Sequence, residues 1–336
     1  QDLLNLPEVE YAEPNYVYTH HAVATDPFYT NGSLWGMKGN YGTNAEIAWA
    51  AGHTGGTGDN QVYVAVIDEG IMNTHEDLTS NCWVNPFDKA GDGIDNDGNG
   101  YVDDIHGFNF VKLKGAIDPQ PHGTHVAGTV GGDIYGVAKG VKLIAVRVLD
   151  ASGSGTTSGV IAGINWAINH HKANPAVANM SLGGGASSAL DLAVSNAIKD
   201  GIVMCVAAGN NSADAGRFSP ARVTSAITVG ATGAYPSLGL NYDAMASYSN
   251  YGSVVDIFAP GTSILSDWIK STSSTALSSG TSMATPHVTG VAALFLAQNP
   301  TSLPSQVQTY IKSSASKNKI SGLKGNTVNS LLYTNY

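Results

Sequence analysis

Charge is scarce in this chain: only 12% of its 336 residues are Asp, Glu, Lys or Arg, and 16 basic residues face 26 acidic ones for a net charge of −10. Disordered chains combine low hydrophobicity with dense charge, so the shortage excludes that class. Forty glycines among 43% hydrophobic residues describe a turn-rich globule instead. The deficit of lysine and arginine also excludes a nucleic-acid partner, because affinity for phosphates rests on cations that displace counterions. No run of about 18 apolar residues is present, so no segment reads as a membrane-spanning helix. No positively charged, apolar signal opens the chain either, and an exported protein would already have lost its leader. Cysteine is limited to Cys82 and Cys205. Cys205 sits in the apolar run Ile202 to Ala208, where a small buried thiol is a simpler reading than half of a disulfide.

What is present is a recurring alternation. Apolar runs of four to eight residues, ending in glycine or a short polar residue, occur at Val62 to Asp68, Leu143 to Leu149, Ala178 to Ser181, Ile202 to Ala208 and Ala226 to Val229. Such runs suit buried parallel strands. Stretches with helical spacing lie between them: His122 to Val130, Thr157 to His170, Ala189 to Lys199 and Thr281 to Ala297. Alternating strand and helix predicts an α/β fold, a doubly wound and mostly parallel sheet with helices on both faces, in a single large domain. Ligands of such sheets sit outside the carboxyl ends of the strands, so residues just past a strand carry the functional prior. Residues 1–22 stand apart from this pattern as an amino-terminal tail, leaving 23–336 for the domain. Pro86 to Gly107, crowded with Gly, Asp and Asn, reads as a loop inserted into it.

Three separated motifs place reactive side chains at such positions. Ser282 lies in Gly280-Thr281-Ser282-Met283-Ala284, at the start of a predicted helix whose dipole favours negative charge. Alone it would read as a capping serine. His122 opens His122-Gly123-Thr124-His125, where a neutral imidazole suits general base work and His125, one turn on, suits packing. Asp68 ends the run Val62 to Asp68, and a buried carboxylate there is costly unless paired, for instance with a histidine whose tautomer it fixes. Asn210, in Ala207-Ala208-Gly209-Asn210-Asn211, could donate its amide to an oxyanion.

Together these motifs, in the order Asp, His, Ser, resemble the subtilisin-like serine peptidases, and Tyr135 to Lys139 and Ser249 to Phe258 resemble the proteinase K-like branch. The resemblance implies a secreted serine endopeptidase of broad specificity, with Asp68, His122 and Ser282 as triad and Asn210 as oxyanion donor. It implies a peptide substrate held as an extended strand between Ser152-Gly153-Ser154-Gly155 and Ser181-Leu182-Gly183-Gly184. An apolar or aromatic side chain is expected beside the scissile bond, and a monomer is expected to suffice. Lipases and esterases share a related serine elbow, but their serine precedes both partners. Transpeptidation stays open, since an amine can capture an acyl-enzyme as water does. One departure from the family is Glu69, where serine or threonine is usual; its extra carboxylate should raise the pKa of the base.

Asp95-Asn96-Asp97-Gly98-Asn99-Gly100-Tyr101 places oxygens at alternating positions, a spacing that suits calcium. Asp95, Asp97, Asn99 and the Tyr101 carbonyl follow the start of an EF-hand loop, but His106 stands where its closing glutamate would be. Asp103 or Asp104 must then complete the shell. By resemblance alone, Asp256 with the carbonyls of Thr224 and Ala226 forms a second calcium site. Val9 to Tyr18 resembles the end of an inhibitory propeptide, and Asp26-Pro27-Phe28-Tyr29 the start of the mature domain, with cleavage expected between Tyr18 and Asp26.

Overall fold

The computed structural model describes residues 27–39, 42–56, 60–115, 117, 119–171, 174–233 and 243–335. The tail, with the segment Val9 to Tyr18 and the expected cleavage region, lies outside the described residues. In chain order the first half holds α1 (Pro27–Thr30), α2 (Glu46–Ala50), β1 (Tyr63–Asp68), β2 (Gly107–Asn109), α3 (Pro121–Gly131), β3 (Lys142–Arg147), α4 (Thr157–His171) and β4 (Ala176–Met180). There follow β5 (Gly184–Gly185), α5 (Ser188–Lys199), β6 (Val203–Ala207), β7 (Phe218–Ser219), β8 (Ile227–Gly233), β9 (Asp243–Met245) and β10 (Ile257–Pro260). The chain closes with β11 (Ile264–Asp267), β12 (Thr275–Ser278), α6 (Thr281–Gln298), α7 (Pro304–Ser314), β13 (Ser316–Lys317), β14 (Ile320–Ser321) and β15 (Ser330–Leu331).

The main sheet runs β13-β15-β10-β8-β6-β4-β1-β3-β2, with parallel pairing from β15 through to β2. Because successive strand residues face opposite sides, the apolar runs divide between two cores. Val64 and Val66 of β1 pack with α3 and α6 residues such as Val126, Val130, Val288 and Val291. Ala65 and Ile67 pack on the other side with Val160, Ile164 and Trp166 of α4 and Leu190, Val194 and Ala197 of α5. Two-sided burial explains why β1, β3, β4 and β6 read as continuous apolar runs rather than alternating ones. The expected architecture is therefore present, with strand and helix ends differing from the sequence estimate by a few residues.

From β1 the chain fills positions on one side of it, β2 and β3, and then returns to its other side to lay down β4. That reversal leaves a crevice beyond the carboxyl end of β1, the place where open α/β sheets bind ligands. Asp68 ends β1, Ser181 follows β4 and Asn210 follows β6, so three of the candidate residues reach the crevice from adjacent strands. Ile67, fully buried directly before Asp68, anchors this edge. Ile67→Ala should lower unfolding stability by about 2–5 kcal/mol through lost burial and the cavity left behind. Denaturant unfolding checks this, with Ser282→Ala as the background of both proteins so that self-digestion does not distort the transition.

Candidate active site

The crevice gathers residues that are far apart in sequence. Asp68 is fully buried, and its Oδ1 accepts from the Glu69 N–H at 2.7 Å and from His122 Nδ1 at 2.8 Å. A buried carboxylate is tolerated here because both donors compensate its lost hydration. Donation from Nδ1 fixes the tautomer and leaves Nε2 of His122 for proton exchange. The imidazole sits at the start of α3, where Pro121 takes the first helical position. Gly123 beside it has a specific cause: a Cβ there would lie 2.4 Å from the Gly70 carbonyl oxygen and 3.2 Å from Asp68 Oδ1. His125 is buried, bonds the Ile264 and Ala276 carbonyls through Nε2, and is held at a pKa of about 4 by burial, as befits a packing residue.

Ser282 and Asn210 meet at the amino end of α6. Asn210 Oδ1 accepts from the Thr281 N–H at 2.8 Å and from its hydroxyl at 3.0 Å, which orients the amide so that Nδ2 faces the crevice. Gly280 keeps the space in front of it open. A Cβ on that residue would lie 3.4 Å from Asn210 Nδ2 and 3.6 Å from Ser282 N, so two donors border one small volume. At the positive end of an 18-residue helix, that volume favours a developing oxyanion.

Pro286 lies inside α6 and has no N–H to give to the carbonyl four residues back, that of Ser282. The Ser181 hydroxyl donates to this carbonyl at 2.8 Å instead. Ser181 is itself set by Asn179 Nδ2 at 2.9 Å, and Asn179 by the Thr289 hydroxyl at 2.8 Å. Sequence reasoning missed Asn179 and Thr289 as supports of the site. Their signal was available, since a polar pair inside a buried strand and a buried helix needs a shared purpose. The Ser282 hydroxyl donates to the Ser181 carbonyl at 3.2 Å, and no hydrogen bond joins it to His122. A hydrogen bond between the two would require the serine to turn about χ1 toward the imidazole.

Two cavities flank these groups. One, of about 370 Å³, is lined by Ser181 to Gly185, Ala207 to Asn211, Phe218 and Ser282, with no charged residue. The other, of about 480 Å³, is lined by the apolar Leu149, Val160 and Leu190 as well as by His122 and Glu69. Ser181, Leu182, Gly183 and Gly184 form the wall between them, and Gly153, Ser154 and Gly155 form the opposite wall of the larger cavity. Ser152 is tied into a turn on the Asp150 carboxylate and does not line it.

With this geometry in view, the comparisons with known proteins become informative. A family model described as the subtilase family matches residues 59–330. The chain belongs to the subtilase family. This subtilase is 42% identical over 345 residues to the alkaline serine exoprotease A of Vibrio alginolyticus, covering 99% of this chain and 56% of the relative. It is 49% identical over 273 residues to the extracellular serine proteinase of Thermus sp. (strain Rt41A), covering 81% of this chain and 60% of the relative. The chain thus spans little more than half the length of these curated relatives. A solved cold-adapted subtilisin-like serine proteinase matches with a TM-score of 0.70 at 44% identity, over 84% of this chain and 92% of that one.

The residues expected to bind calcium are placed unevenly in this subtilase. Asp95 Oδ1 and Asp97 Oδ1 both lie 3.1 Å from the Asn99 N–H, so two like charges converge on one amide. Asp103 turns away, at φ +55, and accepts from the Gly91 and Gly93 amides. Asp104 is fully buried beneath Asn85, Asn99 and His170. Asn85 Nδ2 donates to both Asp97 and Asp104, and no three His, Cys, Asp or Glu side chains form a metal-binding group among the described residues. At the second position the oxygens of Thr224, Ala226 and Asp256 are engaged by side chains of α7. Cys82 and Cys205 are both buried free thiols, each pushed up to about 12 by burial.

Burial of the His122 ring favours its neutral form, but the charge of Asp68, its hydrogen bond and the charge of Glu69 together outweigh that effect and raise the pKa to about 9. Glu69 itself is raised by burial and by Asp68, and its Oε2 accepts from the His122 N–H at 3.3 Å. Since a raised value means that the ring stays protonated until the pH climbs through it, the free base is populated only on the alkaline side. In the subtilase, NMR titration should find His122 changing charge near about 9, and Glu69→Ser should move that transition to lower pH. An unmoved transition would show that Glu69 does not act on the ring.

Proposed function

We propose that this chain is a serine endopeptidase that hydrolyses peptide bonds through an acyl-enzyme on Ser282. The observation that carries the reading is the 2.8 Å hydrogen bond that His122 Nδ1 donates to Asp68, in the same crevice as the paired donors Asn210 Nδ2 and Ser282 N–H. In the proposed cycle the Ser282 hydroxyl leaves the Ser181 carbonyl, gives its proton to His122 Nε2 and attacks the scissile carbonyl. Asp68 stabilises the imidazolium that results. The oxyanion enters the volume beside Gly280, where both donors are already oriented. Collapse expels the amine with the proton from His122, and water repeats the sequence to release the acid.

The substrate runs as an extended strand between residues 153–155 and 181–184, with main-chain hydrogen bonds supplying affinity. Strand side chains alternate, so the residue before the scissile bond enters the uncharged 370 Å³ cavity and the next one faces His122 and Glu69. The first cavity favours an apolar or aromatic side chain; the carboxylate in the second disfavours an acidic one. A relative named as an extracellular serine proteinase supports secretion. The proposal extends to Val9 to Tyr18 as a strand that occupies the cleft until it is removed. It extends also to calcium, which Asp95, Asp97, Asn99 and the Tyr101 carbonyl would hold, relieving the repulsion of the two converging carboxylates.

Ser282→Ala should lower kcat on a chromogenic peptide by about a millionfold. Asn210→Ala should lower it by about a hundred- to a thousandfold while leaving KM nearly unchanged, because the amide acts on the transition state. A loss confined to KM would remove Asn210 from the oxyanion site. Chelation should lower the melting temperature of the inactive Ser282→Ala protein and added calcium should restore it, with Asp97→Asn abolishing both effects.

A further inference from the structure

Helix α7 places Gln308 and Lys312 four residues apart, hence on one face, beside the residues that lead into β8 and β10. Gln308 Nε2 donates to the carbonyls of Ala226 at 2.9 Å and Thr224 at 3.2 Å. Lys312 Nζ lies 2.7 Å from Asp256 Oδ1. The other carboxylate oxygen, Oδ2, accepts from the Thr228 N–H at 3.0 Å, which pins Asp256 to β8 from the opposite side. Two carbonyls and a mostly buried carboxylate are thus covered by two neighbouring side chains of α7, an all-oxygen set of the kind that hard divalent cations take. Here each oxygen already has a donor from the protein.

We infer that the Lys312 ammonium, with the Gln308 amide, replaces a divalent cation in this cradle, so that the native protein takes no calcium there. The chemistry matches. An ammonium is a compact cation with three donors, able to neutralise Asp256 without the six to eight ligands that calcium requires. A covalently attached cation cannot be removed by a chelator. It also ties α7 to Asp256, directly before β10, by a link that does not depend on the ions in solution.

The test counts bound calcium by isothermal titration in the full chain carrying Ser282→Ala, independently of any activity. Asp256→Asn in that protein should leave the number of bound ions unchanged, whereas Lys312→Met should add one ion per chain. The added ion should vanish in the double variant Lys312→Met with Asp256→Asn. Lys312→Arg, which keeps the charge, should add none. Lys312 is nearly half exposed, so its replacement should not prevent folding. Should Lys312→Met nevertheless fail to fold, terbium luminescence on the Asp256→Asn and parent proteins decides the matter. Loss of one ion from the parent on Asp256→Asn would overturn the inference, as would a Lys312→Met protein that folds and gains no ion. The calcium proposed near Asp95 and Asp97 is counted separately through Asp97→Asn, so its failure and the failure of this inference are distinguishable.

Discussion

The geometry of the site depends on one buried charge. Asp68 has no exposed surface, and β1 delivers it to the end of a sheet packed on both faces. Two donors hold one of its oxygens, while Oδ2 has no hydrogen-bond partner. Removing His122 would leave that charge still less compensated, so folding and function favour the same arrangement of α3 against β1. Gly70 and Gly123 follow from it. The chain must turn sharply after Asp68, at φ +97 for Gly70, and the helix bearing His122 must approach that turn more closely than any side chain permits.

The parts legible in the sequence were those in which one physical demand acts alone. Strands buried on both faces must be apolar throughout, and β1, β3, β4 and β6 announce themselves in that way. Asp68, His122, Asn210 and Ser282 were legible as candidates because each sits near the end of a strand or the start of a helix. Other parts arise only from contacts made at a distance. The strands β5 and β7 are two residues each, and nothing local marks them; they exist because Gly184 and Gly185 meet Ser219 and Phe218 across the floor of a cavity. The carboxylates from Asp95 to Asp104 were spaced like ligands, but the turn that brings Asp103 to the Gly91 and Gly93 amides and the burial of Asp104 could not be read from that spacing. Lys312 was invisible for a similar reason, since a surface lysine on a helix carries no local sign of the carboxylate it will meet.

Polar supports, rather than hydrophobic packing, set the positions of the reacting atoms. From Thr289 through Asn179 to Ser181 and the Ser282 carbonyl, each bond is 2.8–2.9 Å and the residues at its start are fully buried. Such chains rigidify only when every member is satisfied. Pro286 completes this one by what it lacks, since a residue with an N–H there would claim the carbonyl that Ser181 now holds.

Ser181 and Ser282 are bound to each other twice, hydroxyl to carbonyl in both directions. One of those bonds fixes the backbone, and the other parks the hydroxyl of the proposed nucleophile. The carbonyl that parks it belongs to the very wall along which a peptide would align. In the proposed cycle, an arriving chain that claimed this oxygen would weaken the tether on the hydroxyl, so that filling the groove and freeing the serine would be a single event.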